Sequence, residues 1–265
     1  MDTKPILCLR IIMNNWSREE TIIAFNVYCK IPFKNCSKSH PIIVKYAKIL
    51  GRTPSALNMK IGNIGRLDPD LKNKGIIGLV HGAKLEQLVW DEFYGNPEKL
   101  AFESERLIAK FSNMPIEMST NILTEDLPRG TEREMIVKQR VNQSFFRAAV
   151  LSAYNFCCCI SGVQNPELLD ACHIVDWSKD TINRTNPKNG LCMNPFFHRA
   201  YDRYLFSITP DFKIDISDML MQHVKEDLFQ AYLKELNGRS IMLPDKFFPQ
   251  KDFLDIHYQQ YKSAY

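Results

Sequence analysis

At 265 residues, with 45% hydrophobic and 24% charged side chains, the chain has the make-up of an ordinary folded protein and enough length for two compact domains. No run approaches the roughly twenty apolar residues of a membrane helix, and the opening stretch Ile6 to Met13 is broken by Arg10 and makes a poor signal peptide; the expectation is a cytoplasmic protein with no membrane partner. The net charge of +4 excludes little, but its distribution is uneven: 11 Lys+Arg against 3 Asp+Glu up to Arg66, 8 against 13 from Leu67 to Glu134, and 15 against 14 thereafter.

A basic N-terminal third beside an acidic middle is the asymmetry of a module that meets polyanionic phosphate. Its first helix should open at Ser17, with Glu20 at the third position completing a capping box and Trp16 in the staple position. A second helix should run from Pro41 to Leu50 and stop at Gly51. A third should start at Thr53-Pro54, a good N-cap followed by a good first residue. Three helices with a glycine turn before the third form a helix-turn-helix, whose last helix would present Arg52, Ser55, Asn58 and Lys60, side chains competent for phosphates and bases. The same periodicity also suits any small trihelical core.

Residues 67–131 read as a helical extension, with helices near Lys84 to Phe93 and Pro97 to Phe111, and a linker over Ser112 to Thr131. A long helix should follow from Glu132 to Phe156. It buries Val141, Phe145 and Ala149, and sets Arg140, Gln143 and Arg147 on another face as a phosphate-contacting stripe or a solvated one.

The chemistry concentrates between Asp170 and Asp202. Leu168 to Val175 is strand-like, a loop follows to Asn189-Gly190, and Asn194-Pro195 opens a helix through Asp202. Leu205 to Thr209 and Phe212 to Ile216 alternate about Pro210-Asp211 as a hairpin. His198 and Asp202, four apart, share a helix face and suit one divalent ion, though a lone pair of this kind is weak evidence.

With His173, Asn189 and His198 in order, the last two nine residues apart, this region resembles the HNH, or ββα-metal, endonucleases. The wording Ala171-Cys172-His173-Ile174-Val175, Asn189-Gly190-Leu191-Cys192 and His198-Arg199-Ala200-Tyr201-Asp202 is similar to a bacterial restriction-endonuclease-like branch. The N-terminal helices loosely resemble Myb-like or SANT-like domains. The implied fold is α+β: an N-terminal helical DNA-binding module (1–66), the extension and linker (67–131), and a C-terminal nuclease domain with flanking helices (132–265). The resemblance implies a Mg2+- or Mn2+-dependent endonuclease that cuts double-stranded DNA to leave 5′ phosphates, in restriction or defence. Such enzymes often act on two-fold sites, which a homodimer would suit. His173 would be the general base, Asn189 its orienting partner, and His198 with Asp202 the metal ligands.

Two departures stand out. Many relatives place Asp or His where this chain has Cys172, a poor ligand for magnesium, and Asp170, on the same strand side, is the favoured substitute, with Cys172 kept open. Cys157-Cys158-Cys159 is contiguous and lacks paired Cys-x-x-Cys spacing, so no structural zinc is expected. Cys172 also leaves open a catalytically silent DNA-binding regulator, and RNA is an alternative substrate.

Overall fold

The computed structural model describes residues 15–76, 82–120, 122 and 130–264. The opening run Ile6 to Met13, Gly78, His81 and most of the second half of the expected linker lie outside them.

Among the described residues eight α-helices come first. These are α1 (Arg18–Lys30), α2 (Pro41–Ile49), α3 (Pro54–Gly65), α4 (Pro69–Asn73), α5 (Lys84–Phe93), α6 (Pro97–Phe111), α7 (Ile116–Ser119) and α8 (Thr131–Ala153). After them run β1 (Asp170–His173), β2 (Gly190–Met193), α9 (Pro195–Asp202), the hairpin β3 (Phe206–Ile208) and β4 (Ile214–Ile216), then α10 (Asp218–His223), α11 (Asp227–Leu236) and α12 (Lys251–Ser263). The fold is α+β, with each sheet two-stranded and antiparallel.

The start signals act as chemistry requires. Ser17 accepts from the Glu20 amide while the Glu20 carboxylate accepts from the Ser17 amide, the reciprocal pair of a capping box. Thr53 accepts from the Ala56 amide, and Gly51 takes φ +63° to end α2. Within the expected linker, α7 forms and packs on α6; Asn113, at φ 50°, ends the first helix and Pro115 stands at the N-cap of the next.

α1 is buried on every face from Glu20 to Cys29 and lies against α3, α5, α6 and α8. Its polar members Glu20 and Asn26 are buried with partners, Arg52 for the first and Ser104 for the second. The buried cluster then continues without a break through Phe145, Leu191 and Phe206 to Leu254, so the helical half and the C-terminal half share it. Lys246 joins them further: its ammonium donates to the carbonyls of Tyr28, Cys29 and Ile31, satisfying the otherwise unpaired C-terminal end of α1.

The three expected helices α1, α2 and α3 form, but two side chains expected to meet DNA from this region are engaged internally. Lys60 is 5% exposed and ion-paired with Glu86 of α5, because α3 turns this face toward α5. Arg52 grips both Glu20 oxygens at 2.7 and 2.8 Å and lies over the Trp16 ring. Ser55 is exposed and Asn58 half-buried, so the outer surface of α3 carries little positive charge.

Candidate metal and nuclease site

β1 and β2 pair with Asp170 opposite Met193 and His173 opposite Gly190. The second strand leads through Asn194, whose side chain caps α9, directly into the helix carrying His198 and Asp202. Antiparallel strands and a helix thus converge on one shallow cleft of ≈ 530 Å³, lined by Asp170, His198, Arg199, Asp202 and Arg203.

His173 is held on three sides. Its ring lies flat on Phe146 of α8, with centroids 3.8 Å apart and planes 7° apart, and Trp177 meets it edge-on. Its Nε2 is 2.9 Å from the Arg184 carbonyl. A carbonyl only accepts, so Nε2 carries the proton and Nδ1 keeps its lone pair. Burial holds the imidazole below its usual pKa, offset in part by that carbonyl, so the ring is a neutral base near pH 7. Arg184 in turn donates to the Trp177 carbonyl at 2.7 Å and lies over its ring, closing the loop on itself.

Asn189 is fully buried and acts on this loop. Its Oδ1 accepts from the Val175 amide at 2.8 Å, its Nδ2 donates to the Val175 carbonyl at 3.0 Å, and its own carbonyl accepts from the Ile174 amide at 3.0 Å. Beside it Gly190 is a steric necessity: a Cβ there would sit 2.4 Å from Val150 and 3.0 Å from Phe146. The missing side chain lets α8 approach closely enough for Phe146 to reach His173.

Around the cleft, His198 bridges two carboxylates, Nδ1 lying 3.3 Å from Asp170 and Nε2 3.5 Å from Asp202. The sulfur of Cys172 is 3.9 Å from Asp202 Oδ1. Donor atoms of Cys172, His198 and Asp202 all fall within 4.8 Å of one another, and among the described residues this is the one such group. The favoured substitute Asp170 stands outside it, on the other edge of His198, where it also receives Arg147 at 3.2 Å. Cys172 is fully buried, and that burial, with Asp202 and Asp170 nearby, pushes its thiol well above the usual range. Burial likewise raises the Asp202 carboxyl, an effect that His198 opposes. In both groups desolvation is the main cause, so negative charge is disfavoured at this edge of the cleft.

Cys158, Cys159 and Cys192 are buried and serve packing. Cys158 Sγ accepts from the Ser161 and Asn194 amides at 3.4 Å, and Cys159 donates its amide to the Cys192 carbonyl.

Of the α8 stripe, Arg147 reaches the site, donating to the Leu169 carbonyl at 2.6 Å and pinning the entry to β1. Arg140 and Gln143 are exposed on the same helix. The sequence reading missed Phe146, Arg184, Arg199 and Arg203. Arg199 lies beside His198 in the motif and had a signal available; Phe146 and Arg184 act through tertiary contacts that spacing does not encode.

Two paired strands, the first carrying His173 and the second entered from the buried Asn189, closed by a helix with His198 and Asp202, define a ββα arrangement. Residues 158–209, which contain all of these, match the family model described as HNH endonuclease, and that segment is an HNH domain. No curated protein matches the chain. Among the described residues no helix is long and apolar enough to cross a membrane.

Proposed function

We propose that the protein is a metal-dependent endonuclease that hydrolyses DNA phosphodiesters to leave 5′ phosphates. The observation that carries this reading is the fixed tautomer of His173, whose Nδ1 keeps its lone pair on a ring that feels the charges of His198 and Asp202, two donors of the cleft. His173 accepts a proton from the attacking water, and Phe146, Trp177 and the Arg184 carbonyl keep its ring from rotating away. Asn189 holds the backbone that follows His173 and thereby fixes its approach. It is a positioning residue.

The donors fit a divalent cation, since an imidazole, a carboxylate and a thiol converge within reach of one ion. His198 and Asp202 would hold it, with Cys172 as the third protein neighbour and Asp170 orienting the imidazole from its far edge. When bound, Mg2+ or Mn2+ would supply positive charge to the phosphate and the departing 3′ oxygen. The exposed guanidinium of Arg199, with Arg203 one turn on, lines the same cleft and suits the flanking phosphates.

DNA contact from the helical half then rests on Ser55, Asn58 and the exposed Lys45 and Lys48 of α2, with Arg140, Gln143 and Arg147 on α8 leading to the cleft. A role in restriction or defence accords with these parts. Incubation of supercoiled plasmid with the full chain in Mg2+, Mn2+ or EDTA tests the activity. Direct ligation of the cut ends, without prior phosphorylation, tests the 5′ phosphate.

A further inference from the structure

A cavity of ≈ 340 Å³ lies between the helical half and the loop that precedes Asn189. Its walls include the rings of Phe93, Tyr94 and Phe145, and its rim carries Asn186, Lys188 and Gln250. The volume is at the small end for ligand pockets, suited to one ring system and not to a polymer. Aromatic walls with amide and cationic groups at one edge match the chemistry of a nucleobase, which offers π-faces, a hydrogen-bonding edge and an attached phosphate.

A second observation is independent of shape. The Tyr94 hydroxyl is buried and has no hydrogen-bond partner among the described residues. A buried hydroxyl left unpaired costs free energy and is unusual in a folded protein. Burial also raises its pKa, so it stays a neutral donor. The Lys188 ammonium sits 4.9 Å over the same ring and brings positive charge to the cavity.

We propose that this cavity is a nucleobase site, in which Tyr94 supplies a hydrogen bond to the base and Lys188 meets its phosphate. The proposal rests on the nucleic-acid reading above for the class of ligand. Its position gives it a consequence. Asn186 accepts from the Lys188 amide and caps the turn Pro187–Asn189, so the pocket wall is continuous with Asn189, while Arg184, two residues before Asn186, fixes His173. An occupied pocket would brace the loop that holds the catalytic base, linking cleavage to the base bound there.

The base has two sources, a free nucleotide or one extruded from a duplex, and two measurements on the full-length His173→Ala protein separate them. The first is calorimetric titration with the four deoxynucleoside 5′-monophosphates. The second is photocrosslinking to duplex DNA carrying 5-iodouracil, with the joined peptide mapped by mass spectrometry. Two variants accompany both. Gly95→Trp fills the mouth, since a Cβ at Gly95 meets no atom within 4 Å, and Tyr94→Phe removes only the hydroxyl.

Saturable mononucleotide binding, or a crosslink within 93–100 or 183–188, supports the site if Gly95→Trp abolishes it. Tyr94→Phe should raise the mononucleotide Kd about fivefold, the loss of one neutral hydrogen bond. No binding in either measurement, or binding indifferent to both variants, overturns it. Base binding by a wild-type chain that fails to nick DNA would sink the nuclease reading alone.

Discussion

The side-chain amide of Asn189 pairs with both backbone groups of Val175, accepting at 2.8 Å and donating at 3.0 Å, two residues beyond His173. The ladder of β1 and β2 ends at His173 and Gly190, and this amide carries the pairing into the loop.

Asn189→Ala would strand the Val175 amide and carbonyl away from water, at about 1–3 kcal/mol for each group left unpaired. We expect a lower urea midpoint and a nicking rate reduced at least tenfold, with DNA affinity nearly unchanged. Asn189→Asp keeps the acceptor and should recover part of the stability.

Gly190→Ala places a methyl 2.4 Å from Val150. Overpacking of this kind costs about 1–3 kcal/mol. Thermal unfolding should show the loss, and the double variant with Val150→Ala should restore much of it by opening the space; a double variant no better than the single one would contradict the steric account.

Much of this was legible in the sequence, for local reasons. Ser17, Thr53 and Asn194 signal helix starts through hydrogen bonds within three residues, and His198 and Asp202 share a face by helical geometry alone. The order of His173, Asn189 and His198 pointed to the segment that matches the HNH endonuclease family model. What stayed hidden depends on contacts between distant segments. The inward turn of Lys60 follows from Glu86 on another helix, and the stack of Phe146 on His173 depends on the bare backbone at Gly190. Which edge of His198 Asp170 and Cys172 each meet is likewise a tertiary matter that spacing along the chain does not encode.

Cys172→Asp tests that choice. An added carboxylate beside Asp202 gives the cleft another oxygen donor but repels its neighbour when no ion is bound. In EDTA the variant should melt below the wild type, and saturating Mg2+ should raise its melting temperature more than it raises the wild type's. Equal metal shifts in both proteins would remove Cys172 from the ligand group.

His257 predicts a pH dependence of stability. It is buried under Tyr201 of the metal helix, with ring centroids 3.6 Å apart; Nδ1 accepts from Ser207 and Nε2 donates to the Tyr201 carbonyl. Burial lowers its pKa from 6.5 to about 4. The unfolded chain therefore binds the proton first, so this contribution is full above about pH 6.5 and falls as pH drops toward 4, by up to about 3 kcal/mol at 1.36 kcal/mol per pKa unit. Urea midpoints at pH 7.5 and 5 should diverge in the wild type and less so in His257→Gln.

The central claim is that His173 is the base of a metal-dependent DNA nuclease. The most direct test compares supercoiled-plasmid nicking by the wild type and His173→Ala, in Mg2+ and in Mn2+, with DNA binding measured alongside. We expect nicking by the wild type in at least one metal and none in EDTA, and a loss of about 10²–10⁴-fold in the variant with DNA affinity retained. Intact plasmid with the wild type under every metal, or equal nicking by the variant, would contradict it.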